Sequence, residues 1–134
     1  MGRKVLAVIV GWIVAAAVMM IGQMLMATMW SPPPYAVRGD AEVLKNYVAE
    51  LPTEAFVALI VIYAVASFAG GFIATKMGRR VSEGMTLTLV VATLLFIGGI
   101  FNFFVALPYH PWWVTLASLA VYYPAALLGY RLAR

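Results

Sequence analysis

Few side chains in this sequence can do acid–base, redox or metal chemistry. The 134 residues include no cysteine and a single histidine, His110. Disulfides, thiolate metal sites and a cysteine nucleophile are therefore excluded, and one histidine cannot form a multi-histidine metal site within a single chain. No Asp, Glu, Lys or Arg stands in the middle of a long apolar stretch. The sequence thus lacks a nucleophile–base pair, and we expect a protein that is not an enzyme and carries no cofactor or metal.

Two amide side chains, Gln23 and Asn102, stand within apolar stretches. Each lies about six residues, or about 9 Å at the helical rise, from the midpoint of its predicted helix and on the same side of it. At that shared depth the two amides could bond across a helix bundle, a contact that contributes about 0.6 kcal/mol on average in membrane proteins. They could instead line a polar cavity, and the sequence leaves both roles open.

Methionines are concentrated in the first apolar stretch, at Met19, Met20, Met24, Met26 and Met29. Thioethers suit Cu(I), but a copper pathway would need further soft ligands near the end of the stretch. Only a tryptophan and prolines follow there. We therefore expect these methionines to fill irregular apolar space.

Aromatic residues collect around His110, at the boundary that we predict to be the outer one: Trp30, Tyr109, Trp112 and Trp113. Tryptophan and tyrosine favour a membrane–water interface because the ring is apolar while its N–H or O–H reaches water. An aromatic belt with one solvated histidine is the prediction. A quinone or haem site beside His110 is the alternative.

Composition indicates the elements that position these residues. Hydrophobic residues make up 65% of the chain and charged residues 10%, with a mean hydropathy of +0.98, whereas soluble domains are about 45–50% apolar and about 25% charged. A membrane-spanning helix needs about 20 apolar residues. Uncharged stretches and prolines define four such helices, at about 5–30, 55–75, 84–107 and 112–130. We predict an all-α integral membrane protein, a four-transmembrane-helix bundle forming a single domain over residues 1–134.

A cleaved signal peptide is the alternative for the first stretch, because Arg3 and Lys4 precede an apolar run. The apolar core of a signal peptide spans only about 7–15 residues before a small-residue cleavage site. Here the apolar run continues for a dozen residues past Ala17. We therefore expect the first helix to be retained as a membrane anchor.

The segment between the first two spans contains one further helix, predicted at about 40–51. Its apolar residues recur at a spacing that forms one stripe: Val43, Leu44, Tyr47, Val48 and Leu51. Such a short amphipathic helix either lies on the outward-facing surface of the membrane or covers the helix ends of the bundle as a lid, and both alternatives stay open.

The distribution of Lys and Arg predicts the orientation. Seven of the nine fall at one side of the predicted bundle: Arg3, Lys4, Lys76, Arg79, Arg80, Arg131 and Arg134. One acid, Glu83, accompanies them, whereas the other side has two basic and four acidic residues. The positive-inside rule then places both termini in the cytoplasm. The pI of about 9.6 follows from this topology, so the expected partner is the lipid bilayer and no nucleic acid.

Small residues at four-residue spacing indicate the faces through which helices approach closely. The second span has Ala66, Gly70 and Ala74, and the fourth has Ala125, Gly129 and Ala133. Such patterns predict contact faces without naming the partner helix.

The order of these features resembles a group of small, uncharacterised bacterial four-helix membrane proteins. The features are a basic start, a first helix ending in prolines 32–34, a Gly70-Gly71 pair, Asn102 and a 108–113 turn rich in proline and tryptophan. The resemblance implies a four-helix topology in the bacterial inner membrane and supplies no activity. Small multidrug transporters share the size and helix number, but they need a glutamate within the first helix, which this chain lacks.

Two functions follow from these features. The first is a non-catalytic accessory or structural subunit, or scaffold, that packs against a larger membrane complex or against itself as a homo-oligomer. Sparse polarity at mid-membrane depth, short loops and several small-residue faces favour it. The alternative is a small oligomeric channel or facilitator for a small solute, with a pore lined by Gln23, Asn102, Tyr122 and Tyr123.

Overall fold

The computed structural model describes residues 2–30, 41–78, 81–106 and 110–134, and every element in these ranges is helical. The elements in chain order are α1 (Gly2–Met29), α2 (Ala41–Glu50), α3 (Thr53–Met77), α4 (Val81–Phe101), a π-helical segment (Asn102–Ala106) and α5 (Trp112–Ala133). Four of these helices are long and apolar enough to cross a membrane. The all-α class and the four long apolar helices are thereby confirmed.

Each long helix extends beyond the uncharged stretch that predicted it. For example, α1 begins at Gly2 and includes Arg3 and Lys4, and α5 continues through Arg131. Charged side chains do not interrupt backbone hydrogen bonding, and Lys and Arg are good helix formers. Hydropathy therefore indicates the apolar length of a helix and not its ends.

The third span differs from a simple helix at one end. Regular α-helix ends at Phe101, and residues Asn102–Ala106 continue as a π-helix. In a π-helix the hydrogen bonds join residues five apart, so the turn is wider than in an α-helix. The hydropathy pattern predicted an uninterrupted helix here, because hydropathy carries no information about this backbone pairing.

Helix α3 forms the centre of the bundle and packs against each of the other three long helices. Its contact with α5 is the most extensive, and that between α1 and α4 is the slightest of the inter-helix contacts described here. The bundle is thus closed around α3 and comparatively open between α1 and α4.

The α3–α5 contact depends on glycine at two positions. A Cβ built on Gly71 would fall against the backbone of Ala126, and one built on Gly129 would fall against the backbone of Phe68. Ahead of these two contacts along both helices, the buried Ser67 hydroxyl donates a 2.5 Å hydrogen bond to the carbonyl oxygen of Tyr122. Only residues without a Cβ allow two helix backbones to lie this close.

Helix α1 approaches α3 closely in the same way along its first half, whereas in its second half a Cβ on Gly22 would lie 2.7 Å from the side chain of Ile62. A Cβ on Gly11 would lie 2.8 Å from the carbonyl oxygen of Gly70, and a Cβ on Gly70 would lie 3.0 Å from that of Gly11. The buried residues of α1 are Ala7, Gly11 and Ala15. Beyond Ala15 the helix has no buried residue, so its second half is covered on one side at most.

The end of the bundle that holds the helix start of α1 also holds the α3–α4 connection. The Arg3 Nε donates a 2.9 Å hydrogen bond to the carbonyl oxygen of Met77, and Lys4 lies 3.5 Å from the carboxylate of Glu83. Arg79 and Arg80, like Arg38 and the proline turn after Trp30, lie outside the described residues.

Helix α2 lies at the opposite end and packs through its second half. Val48 is buried, and the Tyr47 hydroxyl donates a 2.8 Å hydrogen bond to the carbonyl oxygen of Trp30. Burial raises the pKa of Tyr47 above its ordinary value. Glu42, Lys45 and Glu50 are exposed on the other side of the helix.

Candidate functional site

The end of the bundle beneath α2 contains a cavity of about 250 Å³, which we call the outer cavity. Residues of α1, α2, α3 and the π-helical segment enclose it, together with Leu51 and His110. Its lining consists of Gln23, Met26, Ala27, Tyr47, Val48, Leu51, Ala55, Phe56, Leu59, Tyr63, Asn102 and His110.

A second cavity, of about 370 Å³, lies between α1 and α4, where these helices pack loosely. We call it the lateral cleft. Its α1 wall is Trp12, Ala16, Met19, Met20 and Gln23, and its α4 wall is Leu94, Leu95, Gly98, Gly99 and Asn102, with Tyr63 and Tyr122 between the walls. A Cβ on Gly98 would meet nothing within 4 Å. Gly98 therefore serves no close helix contact and instead adds to the open space of the cleft.

Three polar residues belong to both cavities: Gln23, Tyr63 and Asn102. The sequence suggested that Gln23 and Asn102 could bond to each other. In the structure both amides line the same two cavities, together with Tyr63 of α3. The two amides are thus brought to one site, where they line a shared space.

Aromatic rings connect this site with the end of the bundle. Tyr63 packs against Tyr122 and Phe103, with ring centroids 5.8 and 6.0 Å apart. His110 lies 5.0 Å from Phe103 and 6.1 Å from Phe56, in edge-to-face geometry with both. The prediction of a solvated histidine thus gives way to a half-buried one packed between two phenylalanines and lining the outer cavity.

The other predicted interfacial aromatics separate into two groups. Trp113 packs edge-on against Phe56, with ring centroids 6.0 Å apart. The carbonyl oxygen of Trp30 accepts the hydrogen bond from the Tyr47 hydroxyl. Trp112 is 75% exposed and makes no such packing contribution. Tyr109 lies outside the described residues.

The predicted small-residue faces fall at or next to the helix contacts. Ala66, Gly70 and Ala74 are buried on α3, and Gly129 and Ala133 are buried on α5. Ala125 is only half-buried, and its neighbour Ala126 occupies the contact with Gly71. Gly11 was not singled out, although Ala7, Gly11 and Ala15 carry the same four-residue spacing that identified the others.

The lining of both cavities is neutral, because none of its described residues is Asp, Glu, Lys or Arg. Within the described ranges, no group of three His, Asp or Glu side chains could hold a metal ion. What the site offers is amide, phenol and imidazole hydrogen-bonding groups at the edge of an apolar space. Sequence reasoning named Tyr122 for the pore alternative, and Tyr122 lines the lateral cleft. It missed Tyr63, because a tyrosine within an apolar run gives no signal of the direction of its side chain.

Comparison of the chain with protein-family models, with curated proteins and with solved structures finds no match in any of the three. Functional inference therefore depends on the chemistry and packing of the chain itself.

Proposed function

We propose that this chain is a non-catalytic integral membrane protein that serves as an accessory or structural subunit of the bacterial inner membrane. In this proposal it packs against another membrane chain, which is a larger complex or a second copy. The observation that supports it most is the one-sided coverage of α1. In the most apolar 18-residue stretch of α1, 17% of the residues are buried within the chain, whereas the corresponding share is 39% in the spans of α3 and α4.

The exposed side of α1 is broad and continuous. At 100° per residue, Leu6, Ile13 and Met24 lie opposite the buried stripe of Ala7, Gly11 and Ala15. Their side chains are 52%, 53% and 64% exposed. We call these three residues the exposed face of α1. Methionine adapts to irregular partner surfaces, so this face suits contact with another helix.

Insertion in the membrane follows in this proposal from the four long apolar helices. Orientation follows from charge: Arg3 and Lys4 lie beside the α3–α4 connection, and the C-terminal Arg131 and Arg134 lie on the same side in an antiparallel four-helix arrangement. The positive-inside rule then assigns this end, with both termini, to the cytoplasm. Helix α2 would rest on the outer surface, with its charged side toward water.

Site-specific crosslinking tests the subunit proposal, because the chain has no cysteine of its own. A photoreactive maleimide is attached to Met24→Cys and, as a matched control, to Leu116→Cys, whose native side chains are 64% and 60% exposed. Irradiation in native membranes should give one discrete protein adduct from Met24→Cys and none from Leu116→Cys. Lipid adducts alone from both positions would contradict the proposal.

A second candidate is a small channel or facilitator, and one observation favours it. The polar residues Gln23, Tyr63 and Asn102 line two neighbouring cavities, and a solute path would need such a polar lining. The opposite half of the bundle is closely packed, with the Thr75 and Thr88 hydroxyls 2.9 Å apart and Thr88 donating to the carbonyl oxygen of Gly71 at 3.2 Å. A path would therefore have to form between copies. Solute flux into liposomes that is abolished by Asn102→Leu would favour this candidate over the first.

A further inference from the structure

We propose that the lateral cleft and the outer cavity together bind a neutral amphiphile from the bilayer, a molecule with an uncharged, hydrogen-bonding head and a single apolar chain. This inference rests on the proposed membrane insertion and not on the proposed subunit role. The two spaces share Gln23, Tyr63 and Asn102, so a molecule in the lateral cleft can place its polar part at residues that also line the outer cavity.

The lateral cleft provides the apolar part of the site. Between its walls, Met19, Leu94 and Leu95 offer aliphatic and thioether surface. The cleft opens sideways between α1 and α4, where Trp12 and Leu94 are 45% and 41% exposed and Met20 is 63% exposed. In a membrane this opening faces hydrocarbon, so an apolar chain can enter from the bilayer without crossing water.

The shared residues provide the polar part. A glutamine side chain has two N–H donors and an oxygen with two lone pairs, so Gln23 can donate to a polar head or accept from it. Asn102 stands where α4 changes to the π-helical segment, and such segments are frequent at functional sites. An amide group within the hydrocarbon layer is stabilised by any hydrogen-bonding partner, because little water is present there to bond it.

The lack of charged residues in the described lining indicates which class of amphiphile the site can bind. A phosphate or carboxylate head needs a cationic partner, and the described lining of the two spaces contains no Lys or Arg. An ammonium head gains most from an acidic partner, and the described lining contains no Asp or Glu. A neutral head with carbonyl or hydroxyl oxygens, such as that of a quinone or a monoglyceride, matches amide, phenol and imidazole donors.

Binding of defined probes tests this site. The protein is reconstituted, flotation with liposomes verifies membrane insertion, and native mass spectrometry from detergent then measures retention of decylubiquinone, monolauroylglycerol and laurate. The central variant is Gly98→Leu, which adds a side chain to the cleft at a position where an added Cβ meets nothing within 4 Å. The matched control is Ala120→Leu, an exposed position of α5 that lines neither space. A second variant, Asn102→Leu, removes a shared amide.

We expect at least one neutral probe to bind more tightly than laurate, and preference between the two neutral probes identifies the head. Gly98→Leu and Asn102→Leu should each weaken binding about tenfold or more, with Ala120→Leu unchanged. Retention of no neutral probe, equal retention of laurate, or undiminished binding in Gly98→Leu would overturn the inference. Failure to float with liposomes would instead contradict the membrane insertion on which the site rests.

Discussion

The close α3–α5 contact allows a quantitative test with two glycine-to-alanine variants. In Gly71→Ala the added Cβ would fall against the carbonyl oxygen, carbonyl carbon and Cα of Ala126. These are backbone atoms, which cannot rotate aside, so the two helices must separate. In Gly98→Ala the same group meets nothing within 4 Å.

The two variants share every effect except this clash. Alanine favours a helix over glycine by about 0.8–1.0 kcal/mol, and both variants gain that amount. Overpacking a close contact costs about 1–3 kcal/mol. We therefore expect the free energy of unfolding of Gly71→Ala to be about 1–3 kcal/mol lower than that of Gly98→Ala.

Reversible unfolding in mixed micelles, followed by far-ultraviolet circular dichroism, measures this difference. Wild-type protein is unfolded alongside, and Gly98→Ala should be at least as stable as wild type. Equal stabilities of the two variants, or a more stable Gly71→Ala, would refute the argument that glycine is required for the approach of α3 to α5.

Three further predictions concern buried hydroxyl groups, the Tyr47 contact and the orientation of the chain. Ser67→Ala removes a buried hydrogen bond and should cost about 0.5–1.5 kcal/mol of unfolding free energy, whereas Ser118→Ala removes a buried hydroxyl without a partner and should cost nothing or stabilise. Tyr47→Phe should speed amide exchange in α2, measured by mass spectrometry. Since burial raises the pKa of Tyr47 above its usual 10.0, its stabilising contact is complete below pH 10.0 and is lost as pH rises through that raised pKa. A reporter fused after Arg134 should be cytoplasmic, and a tag at 37–46 should be labelled from outside; reversal of either would contradict the charge argument.

The number and apolar length of the long helices could be predicted from the sequence because the bilayer imposes a minimum length on each span. Helix ends could not be predicted in the same way, as the inclusion of Lys4 in α1 illustrates. The π-helical segment at Asn102 also escaped prediction, since its cause is backbone pairing and local packing.

The contact faces were predictable to within one residue. Four-residue spacing indicated Ala125, but Ala126 meets Gly71. A helix has 3.6 residues per turn, so a spacing of four drifts around the axis and leaves adjacent positions ambiguous.

The shared site was predicted only as two amides at one depth. The sequence identified Gln23 and Asn102, but it did not indicate Tyr63, which lines both cavities with them. The direction of a tyrosine on a uniformly apolar helix depends on which helices surround it. That arrangement, with α3 at the centre, is a tertiary property that hydropathy does not carry.

Native mass spectrometry of the protein, extracted gently from its own membrane, tests the proposed subunit role most directly. The account predicts a complex of fixed stoichiometry, either with another membrane chain or with a second copy, and predicts that Met24→Arg on the exposed face of α1 dissociates it while Leu116→Arg does not. A chain that is monomeric in its native membrane extract, at every detergent concentration that preserves its helices, would contradict the account.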